Sequence, residues 1–453
     1  MSSLKDLLGS QLPKECKFKL LHIQTRPTYI KSPIHLEKTE ASKVDTVKIR
    51  HLIQLIDSED LIVFGIEIYV YLLINDVSNT VHQIIFVSKC DTVGLVKHEG
   101  VKIGELVKVI LQWLIEYNIN DYGIKKRKEK KIHTHVSIEG NSDDNDTIIS
   151  IKKLIHKLQS TPNYYSSLPY YNSKPSTRPT KPSHLRILPT RQIIRVCLFT
   201  KAADQYIYPY SSKNPHKHII NGAQLLKWWL RTIDKTLTAG WDCKLMIPGS
   251  DETSSRKFLT DLAKSWSLGH VYKKHSDNSD TAIYCIPVYP DDPKGRFLEH
   301  LIVENRYQRM TVGQFYQELG FRQEFRLGNV VGLIGCQSQT MNISPSTNFN
   351  ENEDERIVMT IHQYKQLVNN VIKGESFTKK SDIQNLVVDK IPIFIHTKLS
   401  KDEDSVIYQE IEGNRINIEV PKVEKTAQPV VVNTLSVKRK APTDLTNLVR
   451  RKK

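Results

Sequence analysis

The segment Tyr284 to Phe297 reads Y-C-I-P-V-Y-P-D-D-P-K-G-R-F and sets two carboxylates, Asp291 and Asp292, close to two cations, Lys294 and Arg296. Carboxylates and cations at this spacing tune one another's pKa, as general acid/base chemistry requires. The same residues also describe a helix start, because Asp is a favoured N-cap and Pro is pre-organised for the first turn. A cap accounts for one Asp and the proline. It does not require the second Asp or the two cations, so the stretch is a candidate for proton transfer as well as a cap.

The elements that must position this stretch follow from periodicity. The apolar run Ala282 to Tyr289 is expected to be a buried strand closed by Pro290, and F-L-E-H-L-I-V-E-N after Pro293 has helical spacing. Upstream, His51 to Lys89 holds two or three strands with a hairpin turn over Asn75 to Thr80; L-I-V-F-G-I-E-I-Y-V-Y-L-L-I-N reads as a central strand. After Cys90, Asp91 and Thr92 comes a loop with Gly94, Gly100, Val101, Lys102, Ile103 and Gly104, then a helix over Glu105 to Asn118. A glycine-containing loop at a helix N-terminus can aim backbone N–H groups at a phosphate, with Lys102 adding charge, although the pattern also describes a plain turn.

The second half opens on a strand over Ile193 to Thr200. A helix from Gly222 to Ala239 follows, capped by Asn221 and stopped by Gly240. Its adjacent Trp228 and Trp229 point about 100 degrees apart, so one packs in the core and the other is free to line a pocket. Further helices are expected over Thr253 to Trp266, from Thr311, and over Arg356 to Ile372, the last docked element. An apolar stretch runs from Val330 to Gly335.

The chain has 453 residues and a net charge of +16, but three segments hold all of the excess. Lys125 to Lys131 carries +5, residues 151–195 carry +9 and residues 421–453 carry +7, leaving the rest at −5. A mildly acidic body suits a basic polypeptide substrate, whereas basic segments suit nuclear import, nucleic acid or acidic partners. Residues 124–190 are expected to be a largely disordered basic insertion between two halves of one domain, 1–123 and 191–420, and residues 421–453 a disordered tail. The clusters V-K-R-K-A-P and V-R-R-K-K in that tail have the spacing of a nuclear localisation signal. No apolar run is long enough to span a membrane and no secretory signal is visible, so an intracellular protein is expected. The six cysteines are scattered with no C-x-x-C pair, which predicts reduced, mostly buried thiols rather than disulfides or a zinc site, with Cys90, Cys197 and Cys285 within or beside strands. His216 and His218 lack a third ligand nearby and read as solvated, so no metal site is expected.

Several stretches together resemble the fungal acetyltransferases that modify lysine fifty-six of newly made histone H3. They are F-V-S-K-C-D-T at Phe86 to Thr92, C-L-F-T at Cys197 to Thr200, Q-Y-I-Y-P and S-S-K-N-P-H-K-H-I-I-N-G between Gln205 and Gly222, L-K-W-W at Leu226 to Trp229, P-V-Y-P-D-D-P-K-G-R-F at Pro287 to Phe297, and R-Q-E-F at Arg322 to Phe325. The resemblance implies a single α/β domain with a central mixed β-sheet surrounded by helices, akin to the CREB-binding-protein type of acetyltransferase. It implies acetyl-CoA as co-substrate, held by Cys90, Asp91, Thr92, the Gly100 to Gly104 loop, Phe199, Ala203, His218, Ile219, Ile220, Trp228 and Arg296. It makes Asp292 the residue most tied to catalysis, with Asp291 beside it and Trp229 and Tyr206 shaping entry of the substrate lysine. Lys294 matches a lysine that becomes autoacetylated and buried, packed near Asp91. The implied partners are histone H3 in H3–H4 complexes and two histone chaperones, one of the anti-silencing-function type and one of the nucleosome-assembly-protein family.

Two other classes fit the bare residues. A metal-dependent nuclease would use P-D-D-P-K as carboxylates and a lysine around a divalent ion, although Pro293 sets them on a helix start rather than spreading them over strands. A non-enzymatic chaperone-bound scaffold would need only the acidic body and basic tails.

Overall fold

In the computed structural model, the chain begins with helix α1 (Leu4–Gly9) and strands β1 (Lys17–Thr25) and β2 (Thr28–Ile30). The structure describes residues 3–37, 41, 43–127, 185–272, 280–322, 325, 330–343, 356–399 and 406–415. The basic insertion beyond residue 127, the tail from residue 416 and the localisation motifs lie outside these residues. β-branched and aromatic side chains favour the pleated sheet, and they dominate β3 (Val44–Asp57), β4 (Ile62–Asn75) and β5 (Thr80–Thr92). The Asn75 to Thr80 turn joins β4 to β5 as the sequence predicts. β4 is buried along nearly its whole length, as befits a central strand.

Helix α2 (Ile103–Glu116) follows, then β6 (Arg191–Thr200), helix α3 (Gly222–Thr236), β7 (Asp242–Met246), the short α4 (Glu252–Arg256) and β8 (Trp266–Leu268). Next come α5 (Pro293–Val303), α6 (Val312–Gly320), β9 (Gly332–Gln337), β10 (Met341–Asn342) and β11 (Ile357–Met359). The described chain ends with helices α7 (Ile361–Gln366), α8 (Lys380–Asn385) and α9 (Ile391–Leu399) and strand β12 (Gln409–Glu412). One mixed sheet orders the strands β11-β1-β3-β4-β5-β6-β9-β7-β8, with β2 on β3, β10 on β6 and β12 on β1. β5 and β6 run parallel, as do β1 with β11 and β7 with β8. Among the described residues no helix is long and apolar enough to cross a membrane.

Strand alternation assigns the two faces. On β4, Ile66, Ile68, Val70, Leu72 and Ile74 pack toward α2 and α3, while Tyr69, Tyr71 and Leu73 face the other way with Phe86, Cys197 and Tyr289. α2 buries seven residues between Leu106 and Leu114. Each such burial stabilises by up to about 1.5–3 kcal/mol, so packing on the sheet holds this helix more than intrinsic propensity does. A second core joins Leu21, Ile23, Leu52 and Tyr208 to the C-terminal helices, and a third joins α5 to α6.

Three sequence expectations are corrected. Ala282 to Tyr289 is not a strand: Ala282–Tyr284 is a single 3-10 turn, and Cys285 follows it rather than flanking a strand. Pro287 and Pro290 cannot donate to a ladder, and the run instead lies beneath the sheet's aromatic face, Val288 N donating to Pro33 O. The helix expected over Thr253 to Trp266 stops at Arg256, because the Asp234 carboxylate accepts from Ala263 N, Lys264 N and Trp266 Nε1 and so fixes a turn there. Arg356 to Ile372 is also not one helix, since Ile357–Met359 adds to the edge of β1 before Thr360 caps α7.

Candidate active site

Asp292 and Lys294 meet at the start of α5. Asp292 is the N-cap: its Oδ1 accepts from Lys294 N at 3.0 Å and its Oδ2 from the Lys294 ammonium. Both side chains are almost fully buried, at 1% and 3% exposure. A buried pair of this kind holds only if its desolvation is offset by close geometry and further bonds. Here the N-cap bond supplies one, and the rings of Phe199 and Tyr289 flank the ammonium at 5.3 and 5.8 Å. Asp291 differs completely: it is exposed, has φ of 59°, and pairs with Lys89 of β5 at 3.2 Å.

Behind the pair runs a buried polar chain. Tyr289 stacks on Phe86 with 3.9 Å between ring centroids, and its hydroxyl meets that of Tyr272, which meets Cys197 Sγ at 3.2 Å. Tyr316 bonds His270 Nδ1, and His270 Nε2 bonds Cys285 O. Burial holds the Tyr272, Tyr289 and Tyr316 hydroxyls well above the usual phenol range, the nearby Asp292 charge adding to this at Tyr316. These groups stay neutral and act as hydrogen-bonding walls. A small cavity of about 30 Å³ lies among Phe199, Tyr272, Tyr289 and Lys294.

On the cofactor side, the parallel pairing of β5 and β6 ends at Val87 and Leu198, so Ser88 to Thr92 and Phe199 to Thr200 continue beyond the shared ladder. A crevice at the carboxyl ends of parallel strands is where α/β sheets place ligands. Asp91 organises this end: its Oδ2 accepts from the backbone N of Tyr206, Ile207 and Tyr208, and its Oδ1 from the Lys217 ammonium. Lys217 also donates to Thr92 O and to Ser211 Oγ. Gly94 is required here, since its φ is +67° and an added Cβ would stand 2.4 Å from Lys217 N. Burial and the Asp91 charge push the Cys90 thiol up, which makes it a poor nucleophile. Burial is the main reason that the Tyr206 hydroxyl, bonded to Ala203 N and Lys201 O, is pushed up to about 12.

The Gly100 to Gly104 loop enters α2, with Gly100 at φ +76° and its carbonyl held by Arg415. Lys102 is the N-cap without a side-chain capping bond, and Gly104 faces Trp228 Nε1 and Thr232 Oγ1, each 3.6 Å from where its Cβ would lie. Trp229 is buried and Trp228 half-buried, edge to face at 4.8 Å, as their spacing predicts. Asn221 and Gln224 form a capping box at the start of α3, preceded by exposed His218 and Ile219 and half-buried Ile220.

The sequence-predicted residues therefore fall into groups. Asp292 and Lys294 come together in direct contact, with the Phe199 ring beside the Lys294 ammonium. Cys90, Asp91, Thr92, Ala203 and Tyr206 form a second group, joined through Asp91 and its loop. Gly100, Val101, Lys102, Ile103, Gly104, Trp228 and Trp229 form a third on the α2–α3 face. Asp291 and Arg296 line a cleft of about 1130 Å³ with Pro33, Ile34, Lys48 and Tyr71. One expected contact is corrected: Lys294 pairs with Asp292 rather than Asp91, and Asp91 is taken by Lys217. A partner two residues away on a cap needs no tertiary approach, which is why the local pair prevails. Sequence reasoning gave no role to Lys217, Lys89 or Tyr272; of these, Lys89 and Lys217 lie inside the quoted motifs. His216 and His218 are exposed, and among the described residues no group of three or more His, Cys, Asp or Glu side chains is arranged to hold a metal.

Comparison with known proteins decides between the readings. The family model described as a histone acetyltransferase KAT11-type domain matches residues 4–393. The chain belongs to the KAT11-type histone acetyltransferase family. A histone acetyltransferase RTT109 of Candida albicans is 42% identical over 382 residues, covering 84% of this chain and 98% of that protein. The histone acetyltransferase rtt109 of Schizosaccharomyces pombe is 27% identical over 42% of this chain and 54% of its own. The crystal structure of Rtt109 from Aspergillus fumigatus superposes with a TM-score of 0.59 at 19% identity, covering 91% of this chain and all of that one, and so shares the fold. A KAT11-type enzyme acetylates histones, and that reaction makes acetyl-CoA the co-substrate; the nuclease and scaffold readings are set aside.

Proposed function

We propose that this KAT11-type enzyme acetylates newly synthesised histone H3 in H3–H4 complexes, chiefly at lysine fifty-six and also on N-terminal tail lysines. In this reading it works in the nucleus, in replication-coupled nucleosome assembly and the response to DNA damage, and is stimulated by two histone chaperones, one of the anti-silencing-function type and one of the nucleosome-assembly-protein family. The observation that carries the proposal is the buried Asp292–Lys294 pair within P-V-Y-P-D-D-P-K-G-R-F, next to Phe199, where β5 and β6 run on beyond their shared ladder.

Acetyl-CoA would be held by Cys90 to Thr92, Gly100 to Gly104, Phe199, Ala203, His218 to Ile220, Trp228 and Arg296. The N-terminus of α2 with Lys102 suits its phosphates. The residues fit: the loops are fixed by Asp91, Lys217 and Arg415, and Gly100 and Ala203 within them are exposed. A substrate lysine, ordinarily protonated with a pKa near 10.4, must lose a proton before it attacks the thioester. Asp292, with Asp291 beside it, supplies the carboxylate charge for that step, and Trp229 and Tyr206 shape the approach. Lys294 is itself an acceptor: acetylation would replace a buried ammonium by a neutral amide that still donates to Asp292.

The test is an acetylation assay on H3–H4 with each chaperone added, with acetyl sites mapped by mass spectrometry on both histone and enzyme. Acetyl at H3 lysine fifty-six and at Lys294 is the expected result. Acetylation confined to other histone lysines, indifferent to chaperone, would overturn the substrate assignment.

A further inference from the structure

Thr46, Lys48 and Arg50 alternate along β3, so they share the aromatic face of the sheet, and each leaves a polar atom without a partner. The β3–β4 register sets Thr46 opposite Leu73, Lys48 opposite Tyr71 and Arg50 opposite Tyr69. The buried Thr46 Oγ1 and Arg50 Nε have no hydrogen-bond partner. Lys48 is 9% exposed, and among the described residues its Nζ has no hydrogen bond or ion pair; it meets only the faces of Tyr69 and Tyr71, at 3.8 and 4.8 Å from the ring centroids.

A buried donor or acceptor left unmet costs the full desolvation of the group, so several on one strand face call for a reason. Thr46 and Lys48 both line the cleft of about 1130 Å³ that has Asp291 and Asp292 in its wall. The carboxylates of the cleft do not answer Lys48: Asp45 is paired with Arg127 and Arg186, Asp291 with Lys89 and Asp292 with Lys294, while Glu299 stands exposed on α5. Glu67, on the same face of β4, accepts from Tyr364 and Ser88. Arg50 beside Lys48 adds positive charge, so the group that completes this floor is a negatively charged acceptor. Burial first, then Arg50, push the Lys48 amine down to about 7, and a carboxylate set against it would hold its proton.

We propose that Lys48, with Thr46 beside it, forms a specificity subsite in which Lys48 donates to the carboxylate of an Asp or Glu of the polypeptide substrate, close in sequence to the lysine that is acetylated. The inference rests on the reading of Asp292 as the carboxylate of the acetyl-transfer step. Apart from Arg296, the residues given to acetyl-CoA lie outside the lining of this cleft, which leaves it to the polypeptide. Contacts of 4.8, 5.8 and 5.8 Å lead from Lys48 through the Tyr71 and Tyr289 rings to Lys294, the partner of Asp292. An extended chain, at about 3.3 Å per residue, spans that path in about five residues. The acidic side chain therefore belongs within about five positions of the acceptor lysine.

The test uses the full chain with acetyl-CoA, H3–H4 and both chaperones, read by steady-state kinetics after the acceptor lysine has been mapped by mass spectrometry. Each Asp or Glu within five positions of that lysine is changed in turn to Asn or Gln. One such change should raise the KM for H3–H4 about tenfold, the worth of a hydrogen bond to a charged group. Lys48→Met should raise the KM for unaltered histone by as much and be indifferent to that change, whereas Lys48→Arg, which keeps a charged donor, should still discriminate. An acceptor lysine with no acidic residue within five positions, or histone changes that affect the parent and Lys48→Met alike, would overturn the subsite and leave acetyl transfer standing. If the parent transfers no acetyl to H3–H4, the acetyl-transfer reading falls and the subsite falls with it.

Discussion

Lys294 is joined to Asp292 twice, its backbone amide and its ammonium both donating to the one buried carboxylate. The residue that caps α5 is thus also the counter-charge of the nearest buried cation, with one carboxylate oxygen in each role.

A double-mutant cycle exposes that coupling. Asp292→Asn keeps the cap but leaves the Lys294 charge unpartnered, and should cost about 3–5 kcal/mol. Lys294→Gln removes the charge and should cost less. The double variant should resemble Lys294→Gln alone in thermal or urea unfolding, with a coupling energy above about 1 kcal/mol; simple additivity would show that the pair does not act as a unit. Turnover of Asp292→Asn, measured across pH, should be lower with a displaced profile.

Asp91 is a positioning residue for the loop from Tyr206 to Tyr208. Asp91→Ala would strip three backbone N–H groups of their acceptor and leave Lys217 buried without its counter-charge. The expected outcome is rapid proteolytic cleavage between Ala203 and His218 and at least about a tenfold loss of acetyl-CoA affinity, since misordering of one such charge pair is worth several kcal/mol. Cleavage and affinity equal to the parent would refute the positioning role.

Gly94→Ala should act through the same loop from the other side. Its left-handed φ and the 2.4 Å approach of Lys217 N both oppose a side chain. The destabilisation should exceed the ~1 kcal/mol expected of an ordinary left-handed glycine, and the KM for acetyl-CoA should rise more than that for histone.

Acid sensitivity should come from the histidine pair of β1 and β3. His22 Nε2 bonds His51 Nδ1 at 3.1 Å, and His51 Nε2 bonds the Tyr122 hydroxyl. Burial, reinforced by Arg356, holds His22 down to about 3, and His51 is lowered as well. The folded pKa lies below the unfolded value, so the unfolded state takes up more protons between about pH 6.5 and 3. Stability is therefore fully present above about 6.5 and is lost as pH falls, by at most about 5 kcal/mol from His22. The melting temperature should fall steadily below pH 6.5, and His22→Gln should flatten that slope even where it lowers stability at pH 7.

What the sequence made legible was what short-range chemistry determines. The Asn221 cap, the Asn75 to Thr80 turn, the α2 stripe and the Pro293 helix start each depend on neighbours within a few residues, and each stands in the structure. Two of the three misread segments have a conformation set from afar: Ala263 to Trp266 is held by Asp234, and Ile357 to Met359 is drawn onto β1; the third, Ala282 to Tyr289, carried its own contrary signal in Pro287 and Pro290. The site shows the same division. The Asp292–Lys294 pair spans two residues and could be suspected from spacing, while Lys217 reaches Asp91 across 126 positions and nothing in its local pattern announces it.

β1 carries a consequence for how the molecule comes into being. Its residues pair with β3 on one side, but Lys17 to Leu20 and Ile23 to Thr25 are completed on the other by Gln409 to Glu412 and Ile357 to Met359. At a synthesis rate of about 5–20 residues per second, the first strand waits roughly 20–80 seconds for its last partner to leave the ribosome. During that interval one edge of β1 stands open to any other strand. Folding of the N-terminal sheet is therefore a race against association, finished only when the far end of the domain arrives.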